Sequence, residues 1–151
     1  MITIWSMWWA GVAHAGPVGL GLALGSPTGI TAAVFVNDNA NLDFLVGEGW
    51  HGDGWHDDEL LLSADYDVHL VDLAKGPDAR LDFYLGGGVN VWMWRSAGAD
   101  IGLEMPIGLS LNFERAPVEL FVELVPTFVV TDYGWFDMGG SVGGRYYFGE
   151  R

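Results

Sequence analysis

Side chains that could bind a metal ion are concentrated in residues 50–59, which read W-H-G-D-G-W-H-D-D-E. His51, Asp53, His56 and Asp57 supply imidazole and carboxylate groups, the ligand types that bind zinc and calcium. Their spacing matches no established metal-binding loop, and the glycines between them favour a flexible, solvated acidic loop. These four residues are therefore the candidate ligands if a divalent cation binds, and the prediction for the chain is no metal and no other cofactor.

A second set of ionisable residues recurs at alternate positions of strand-like segments. A charge that is buried alone is costly, so such groups must pair, become protonated or stay hydrated. We predict that the arginine of this set pairs with one of the two glutamates on the preceding segment, Glu119 or Glu123. The members are Asp43, Asp65, Asp67, Asp82, Asp100, Glu104, Glu119, Glu123, Asp137 and Arg145.

Serine and histidine do not form a catalytic pattern. Hydrolysis by a serine nucleophile requires a histidine and an acid arranged around it. His69 lies near the end of its segment, away from Ser63, Ser110 and Ser141, which share the parity of the acidic set. The chain is predicted not to be an enzyme.

Composition restricts the partners and the surroundings of the protein. Twenty acidic and six basic residues among 151 give a formal charge of −14, which excludes nucleic-acid binding by phosphate neutralisation. Lys75 is the one lysine in a chain that is half hydrophobic, whereas a water-soluble surface normally carries many lysines. Cysteine is absent, so disulfides and thiolate metal sites are excluded.

The elements that must position these residues alternate between large apolar and small or polar side chains, which is the two-residue period of a β-strand. Eight such segments are separated by stretches that are rich in Gly, Pro, Asn and Asp. The segment from Val71 to Ala79 is predicted to be one of these connections. Pro106 and Pro126 fall inside strands and predict a bulge or locally broken pairing at each. The predicted fold is all-β, an eight-stranded antiparallel up-and-down β-barrel.

Which face of the strands points outward separates two kinds of barrel. A soluble lipocalin-like ligand-binding barrel would enclose the apolar set, whereas a transmembrane barrel exposes it to lipid. Eight strands leave an interior that side chains only just fill, so the small and polar set fits inside and the bulky set does not. We predict a transmembrane barrel with an acidic polar lumen. A solid polar plug is favoured over the alternative of a small cation-selective channel.

The first residues form a separate unit. Residues 2–12 are apolar and rich in tryptophan, and Ala13-His14-Ala15 has the pattern of a cleavage site for an export signal. We predict an export signal at residues 1–15, whose true start lies upstream or is misassigned because no basic residue precedes it, and a barrel domain at residues 16–151.

The last strand-like segment carries a pattern with a family resemblance. Ser141, Gly143, Tyr146 and Phe148 resemble the C-terminal assembly signal of bacterial outer-membrane barrels, and the whole predicted domain resembles small barrels of the OmpA-transmembrane-domain and OmpX type. The resemblance implies a monomer in the outer membrane of a Gram-negative-type cell, with the lipid bilayer and the barrel-assembly machinery as partners. Members of that family act as structural anchors, adhesins or small pores.

Overall fold

The computed structural model describes residues 17–51, 54–55, 59–94, 98–131 and 134–149. The export signal predicted for residues 1–15 lies outside these ranges. No helix in the described part of the chain is long and apolar enough to cross a membrane. The strands are β1 (Val18–Ser26), β2 (Thr28–Asn37), β3 (Ala40–Glu48), β4 (Trp50–His51), β5 (Gly54–Trp55), β6 (Glu59–Lys75), β7 (Ala79–Trp94), β8 (Gly98–Glu104), β9 (Ile107–Phe113), β10 (Val118–Val129) and β11 (Trp135–Phe148).

Antiparallel pairing closes the long strands into a ring. The order is β1-β2-β3-β6-β7, then β8 and β9 as two parts of one wall strand, then β10 and β11, which pairs back to β1. Each neighbour is reached by a short reversal of the chain, so the ring has eight strands in up-and-down order. The predicted eight-stranded antiparallel barrel is confirmed. Strands β4 and β5 form a separate two-stranded hairpin in the connection after β3.

The strands are staggered around the ring. A circuit of Cα partners that starts at Asp72 returns to the same strand at Leu61, after passing Asp82, Ser110, Phe121, Gly143, Ala23, Gly29 and Gly47. The two ends of this circuit are eleven positions apart, and one of these is the extra residue of a bulge between His69 and Val71. A stagger of ten residues over eight strands corresponds to a strand tilt of about 40°.

The two prolines lie close together in the wall, at the point where β8 gives way to β9. Pairing of β10 with β9 stops at Leu124, opposite Ile107, and resumes with β8 at Thr127, opposite Glu104, in the same register. The Met105 amide donates to the Pro126 carbonyl, and the Gly86 amide donates to the Pro106 carbonyl. Neither proline nitrogen can donate in return. The pairing is therefore broken locally at both prolines, as predicted, and neither position has a bulge.

The connection predicted for Val71 to Ala79 is wrong in part, because β6 continues to Lys75 and pairs with β7 as far as Arg80. Register shifts between His69 and Val71 and between Asp72 and Ala74 add an extra residue at each place. The polar loop predicted for residues 50–59 is also too long by one residue, since Glu59 begins β6 and is buried.

The wall has an apolar outside and a polar inside. Large hydrophobic side chains on every ring strand are exposed, among them Leu22 at 61%, Ile30 at 63% and Leu124 at 59%. The alternate positions are buried and include Asp82, Glu119 and other charged residues. Outward-facing positions of the described ring strands carry no charged side chain except Glu48 at a strand end. The barrel is thus inverted relative to a water-soluble one.

Glycines on the inner wall leave space for aromatic rings. A Cβ atom on Gly143 would overlap with the Phe121 ring, and one on Gly108 would overlap with the Tyr84 ring. A Cβ on Gly19 would come within 2.7 Å of the Tyr147 ring. The narrow interior is therefore filled by rings that pack against glycine on a neighbouring strand.

Candidate functional site: the polar lumen

All ten residues of the predicted acidic set lie on ring strands at lumen-facing positions. They come from six elements, and burial ranges from complete for Asp82 to partial for Asp43, Asp65, Asp100, Glu123 and Asp137. The set divides into groups along the barrel. We call the end with Pro17, Gly149 and the 76–78 turn the turn end, and the opposite one, with the connections after β3 and β10, the loop end.

Arg145 is the one lysine or arginine that the described residues bury, with 6% exposure. Its guanidinium forms an ion pair with Asp43 and lies 3.5 Å from Glu119 Oε2. It also donates to the Thr31 hydroxyl and lies 4.3 Å above the centre of the Phe121 ring. Two carboxylates therefore share one cation. Glu119 is one of its two predicted partners, and Asp43 is a partner that the prediction did not include.

Glu119 joins Arg145 to the turn end of the lumen. It accepts hydrogen bonds from the hydroxyls of Tyr147 and Ser110, each at 2.5 Å. Asn112 donates to Ser110 and to Asp82, and Asp82 is paired with Arg80 at 2.9 Å. This chain of contacts runs from the half-buried Arg80 at the mouth to the buried Arg145.

Glu123 and Asp67 accept hydrogen bonds from neutral groups. Tyr84 and Ser141 each donate to Glu123 at 2.9 Å, and Asn41 donates to Asp67 at 3.4 Å. His69 Nε2 lies 3.0 Å from the Asn41 oxygen. Glu123, the second partner predicted for Arg145, is thus stabilised by hydroxyl groups instead.

Glu104 and Asp65 lie on either side of one glycine in the loop-end half of the lumen. Asp65 is the Cα partner of Gly88, and Gly88 is the Cα partner of Glu104. Asn90 donates to Glu104 at 2.5 Å. Because Gly88 has no side chain, the two carboxyl groups face the same space from opposite strands.

Apolar side chains fill the lumen on the loop-end side of these carboxylates. Trp92 is 3% exposed, and its ring stacks on Trp135 with centres 6.0 Å apart. Leu61 and Val129 belong to the same buried cluster. Asp100 accepts from Thr131 at 2.6 Å and from Trp94 at 3.3 Å. The described part of this end is closed by tryptophan and aliphatic side chains.

Free space in the lumen is small. Within the described part of the lumen, two cavities of about 20 Å³ each are lined by both polar and apolar residues, and both touch Glu104 and Val125. Asp137 lines the one nearer the loop end. A larger pocket of about 420 Å³ opens at the turn end, next to Arg80, Asn112 and Tyr147. Each inner cavity has room for about one water molecule.

The four residues of the predicted assembly signal lie on both faces of β11. Ser141 and Gly143 face the lumen, where they contact Glu123 and Phe121. Tyr146 and Phe148 are exposed on the outer wall, with ring centres 5.0 Å apart in an edge-to-face arrangement.

The candidate metal ligands give no site to describe. Asp53, His56 and Asp57 lie outside the described residues, and His51 is described only as a backbone position in β4.

Several lumen residues were missed because the sequence prediction considered only charged groups. Thr31, Asn41, Asn90, Asn112 and Tyr147 have the same inward parity as the carboxylates and hydrogen-bond to them or to Arg145. Parity was the signal that could have identified them, since every polar residue on the inward face of such a strand must find a partner.

A closed eight-stranded barrel with an apolar exterior and a polar, filled lumen is the architecture of the small OmpA-type β-barrels, and the chain has that fold. The N-terminal β-barrel domain of Pseudomonas aeruginosa OprF is similar to it, with a TM-score of 0.59 and 16% sequence identity over 89% of this chain and 98% of that domain. No protein-family model matches the chain, and no curated protein matches it in sequence.

Proposed function

We propose that the protein is an integral outer-membrane β-barrel with a structural or surface-interaction role and no enzymatic activity. The observation that carries this proposal is the inverted wall, because large apolar side chains cover the outside while the carboxylates and Arg145 are inside. Such an apolar surface is unfavourable in water, whereas the hydrocarbon of a bilayer solvates it. The closed ring also leaves no unpaired strand edge in lipid. The structural similarity to the OprF barrel domain supports the barrel fold on which this proposal rests.

The aromatic residues at the two ends of the outer wall support insertion across a bilayer. Tyr146 and Phe148 are exposed near the turn end, and Phe128 and Phe136 are exposed partners near the loop end. Aromatic side chains are enriched where a membrane barrel meets the lipid headgroups.

A charged substitution on the outer wall tests this proposal. Leu22 is the middle residue of β1 and is 61% exposed. We expect Leu22→Arg to lower the free energy of unfolding by about 2–4 kcal/mol in lipid vesicles, since the guanidinium would enter the hydrocarbon. Urea unfolding followed by tryptophan fluorescence measures the change.

Leu73→Arg is the matched control. Leu73 is 54% exposed, but it is the extra residue of a bulge in the part of β6 that extends past its pairing with β3. The same charge should cost less than about 1 kcal/mol there. Equal, small effects of both substitutions would instead favour the soluble lipocalin-like barrel.

The filled lumen supports a plug and argues against the small cation-selective channel. Trp92 and Leu61 close the described loop end, and the two inner cavities each have a volume of only about 20 Å³. We expect the purified protein to give no unitary conductance in planar bilayers. Steps that reverse at the cation equilibrium potential would establish the channel instead.

The partners follow from the proposed location. Insertion would require the barrel-assembly machinery, with the residues Ser141, Gly143, Tyr146 and Phe148 as its recognition signal. The functional unit would be a monomer in the lipid bilayer, without nucleic acid, and a surface-interaction role would fall to the loop-end connections.

A further inference from the structure

The carboxyl groups of Asp65 and Glu104 are hydrogen-bonded to each other in the lumen. They come from β6 and β8, which are not neighbours in the wall because β7 lies between them. Gly88 is the Cα partner of both residues, and a Cβ at that position would overlap with Asp65 Oδ1. An ionised carboxylate can only accept hydrogen bonds, so a bond between two carboxyl groups requires a proton on one of them.

The neutral donors around this pair are directed at one member. The Asn90 amide donates to Glu104 at 2.5 Å, and the Ser63 hydroxyl also donates to Glu104. Among the described residues no such donor reaches Asp65, whose Oδ1 atom is buried without a partner against Gly88. Hydrogen bonds to a carboxylate favour its ionised form. Glu104 is therefore the ionised member of the pair, and Asp65 is the member that carries the proton.

No cation in the described part of the chain takes the place of this proton. The charged groups that face the pair are Asp67 on β6, Asp43 on β3 and Glu123 on β10, all of them acidic. Arg145 on β11 is already shared between Asp43 and Glu119. Two ionised carboxylates side by side would repel each other strongly in this narrow interior, where screening by water is weak.

The carboxyl pair lies beside the break in the wall at Pro106. Gly88 opposite Glu104 is the last pair of the ladder between β7 and β8, and β7 next pairs with β9 at Leu85 opposite Ile107. Pro106 lies between these two pairs and has no amide hydrogen to donate. A hydrogen bond from Asp65 to Glu104 therefore connects β6 to the end of β8, next to the point where the backbone ladder lacks a donor.

We propose that Asp65 and Glu104 form a proton-binding site, in which protonated Asp65 donates to ionised Glu104 and ties β6 to β8. Loss of the proton removes this hydrogen bond and leaves two carboxylates facing each other, so the connection opens as the pH rises. In the unfolded chain an aspartic acid is ionised at neutral pH. The folded barrel thus binds one proton more than the unfolded chain, and the stability that the site contributes falls with increasing pH.

Infrared spectroscopy of the whole protein in lipid vesicles tests for the proton. Asp65→Asn places an amide donor where the acid was, so the connection to Glu104 is kept without a titratable group. The wild-type spectrum minus that of Asp65→Asn at neutral pH should contain the C=O stretch of one protonated carboxylic acid, which lies above the carboxylate bands. Asp38→Asn is the matched control, because Asp38 is an exposed acid in the turn between β2 and β3 and should contribute only carboxylate bands. Absence of the acid band from the Asp65→Asn difference would overturn the proposal.

Urea unfolding at a series of pH values tests the consequence for stability. Relative to Asp65→Asn, the unfolding equilibrium constant of the wild type should rise by up to about tenfold per pH unit, over the pH range in which the acid band disappears. The comparison with the variant cancels the contributions of the other titrating groups. Parallel unfolding of the two proteins, or an acid band that persists at every pH at which the barrel is folded, would overturn the pH-sensitive connection.

Glu104→Gln provides a second comparison if Asp65→Asn does not fold. Its amide can donate to an ionised Asp65, so the acid band should again be lost, and an unchanged band would show that the proton does not belong to this pair. Each of these results leaves membrane insertion, measured by Leu22→Arg, unaffected.

Discussion

Replacement of Arg145 by methionine is expected to lower the free energy of unfolding by about 3–5 kcal/mol, the usual cost of removing one partner from a buried ion pair. Asp43 and Glu119 would lose the single cation that they share. Thr31 would also lose the hydrogen bonds from the guanidinium. Methionine retains only the apolar stem of the side chain and lacks the guanidinium that lies over Phe121, so a rescue variant is needed to separate the loss of charge from the loss of packing.

Urea unfolding in lipid vesicles measures this effect, and a rescue variant makes it specific. Arg145→Met combined with Asp43→Asn and Glu119→Gln removes the two uncompensated charges and should recover more than half of the lost stability. The stability of Arg145→Lys should lie between those of Arg145→Met and the triple variant. An ammonium group cannot reach Asp43, Glu119 and Thr31 together with the geometry of a guanidinium. If the single and triple variants are equally unstable, charge balance is not what Arg145 contributes.

Replacement of Gly143 by alanine is expected to destabilise the barrel by about 3 kcal/mol, the upper part of the range for overpacking a filled interior. The new methyl group would overlap with the Phe121 ring and with the backbone carbonyl oxygen of Leu22 on the adjacent strand. Phe121 is 5% exposed and lies beneath the Arg145 guanidinium, so its ring has no free space into which to move. Heating in detergent, with loss of the compact form followed by gel migration, measures the change.

Gly87→Ala is the control for this substitution. Gly87 points outward between two inward-facing glycines, and the nearest atom to an added Cβ, the Glu104 carbonyl oxygen, is 4.0 Å away. We expect an effect of less than about 0.5 kcal/mol, as for other surface changes without a special backbone requirement. A large loss at Gly87 as well would show that alanine is tolerated poorly anywhere in these strands.

The alternation of side chains was sufficient to predict the ring and its orientation. Leu22, Ile30 and Leu124 are exposed, and Asp82 and Glu119 are buried, because each follows the parity of its strand. Parity carries this much information since a strand in a closed wall has one face toward lipid and one toward a narrow interior.

Alternation failed where the strand is irregular. The extra residues in β6, Leu70 and Leu73, shift the parity twice within six residues, so Val71 to Lys75 has no two-residue period even though it pairs with β7. A β-bulge accommodates the local twist of paired strands. Leu70 and Leu73 carry no sequence signal that a bulge forms at these positions.

The partners of Arg145 depended on the closure of the ring. Glu119 is its Cα partner on the preceding strand and was within the reach of sequence reasoning. Asp43 lies on β3, on the far side of β1 and β2, and is reached because Gly21, the other Cα partner of Arg145, has no side chain in between. That contact requires the first and last strands to be joined, and local sequence does not encode their stagger.

The two neighbouring prolines have a mechanical consequence, because Pro106 removes a hydrogen-bond donor toward β7 and Pro126 removes one toward the β8–β9 strand. β11 and β1, the strands that close the ring, are joined by a continuous ladder from Val18 to Ser26, whereas the wall between β7 and β10 lacks the two donors of Pro106 and Pro126. Lateral tension on the folded barrel would therefore part the wall beside Met105 before it parts the chain's own ends. Amide hydrogen exchange should be fastest at the same place. The joint between the first and last strands, β1 and β11, is therefore not the weakest one in the barrel.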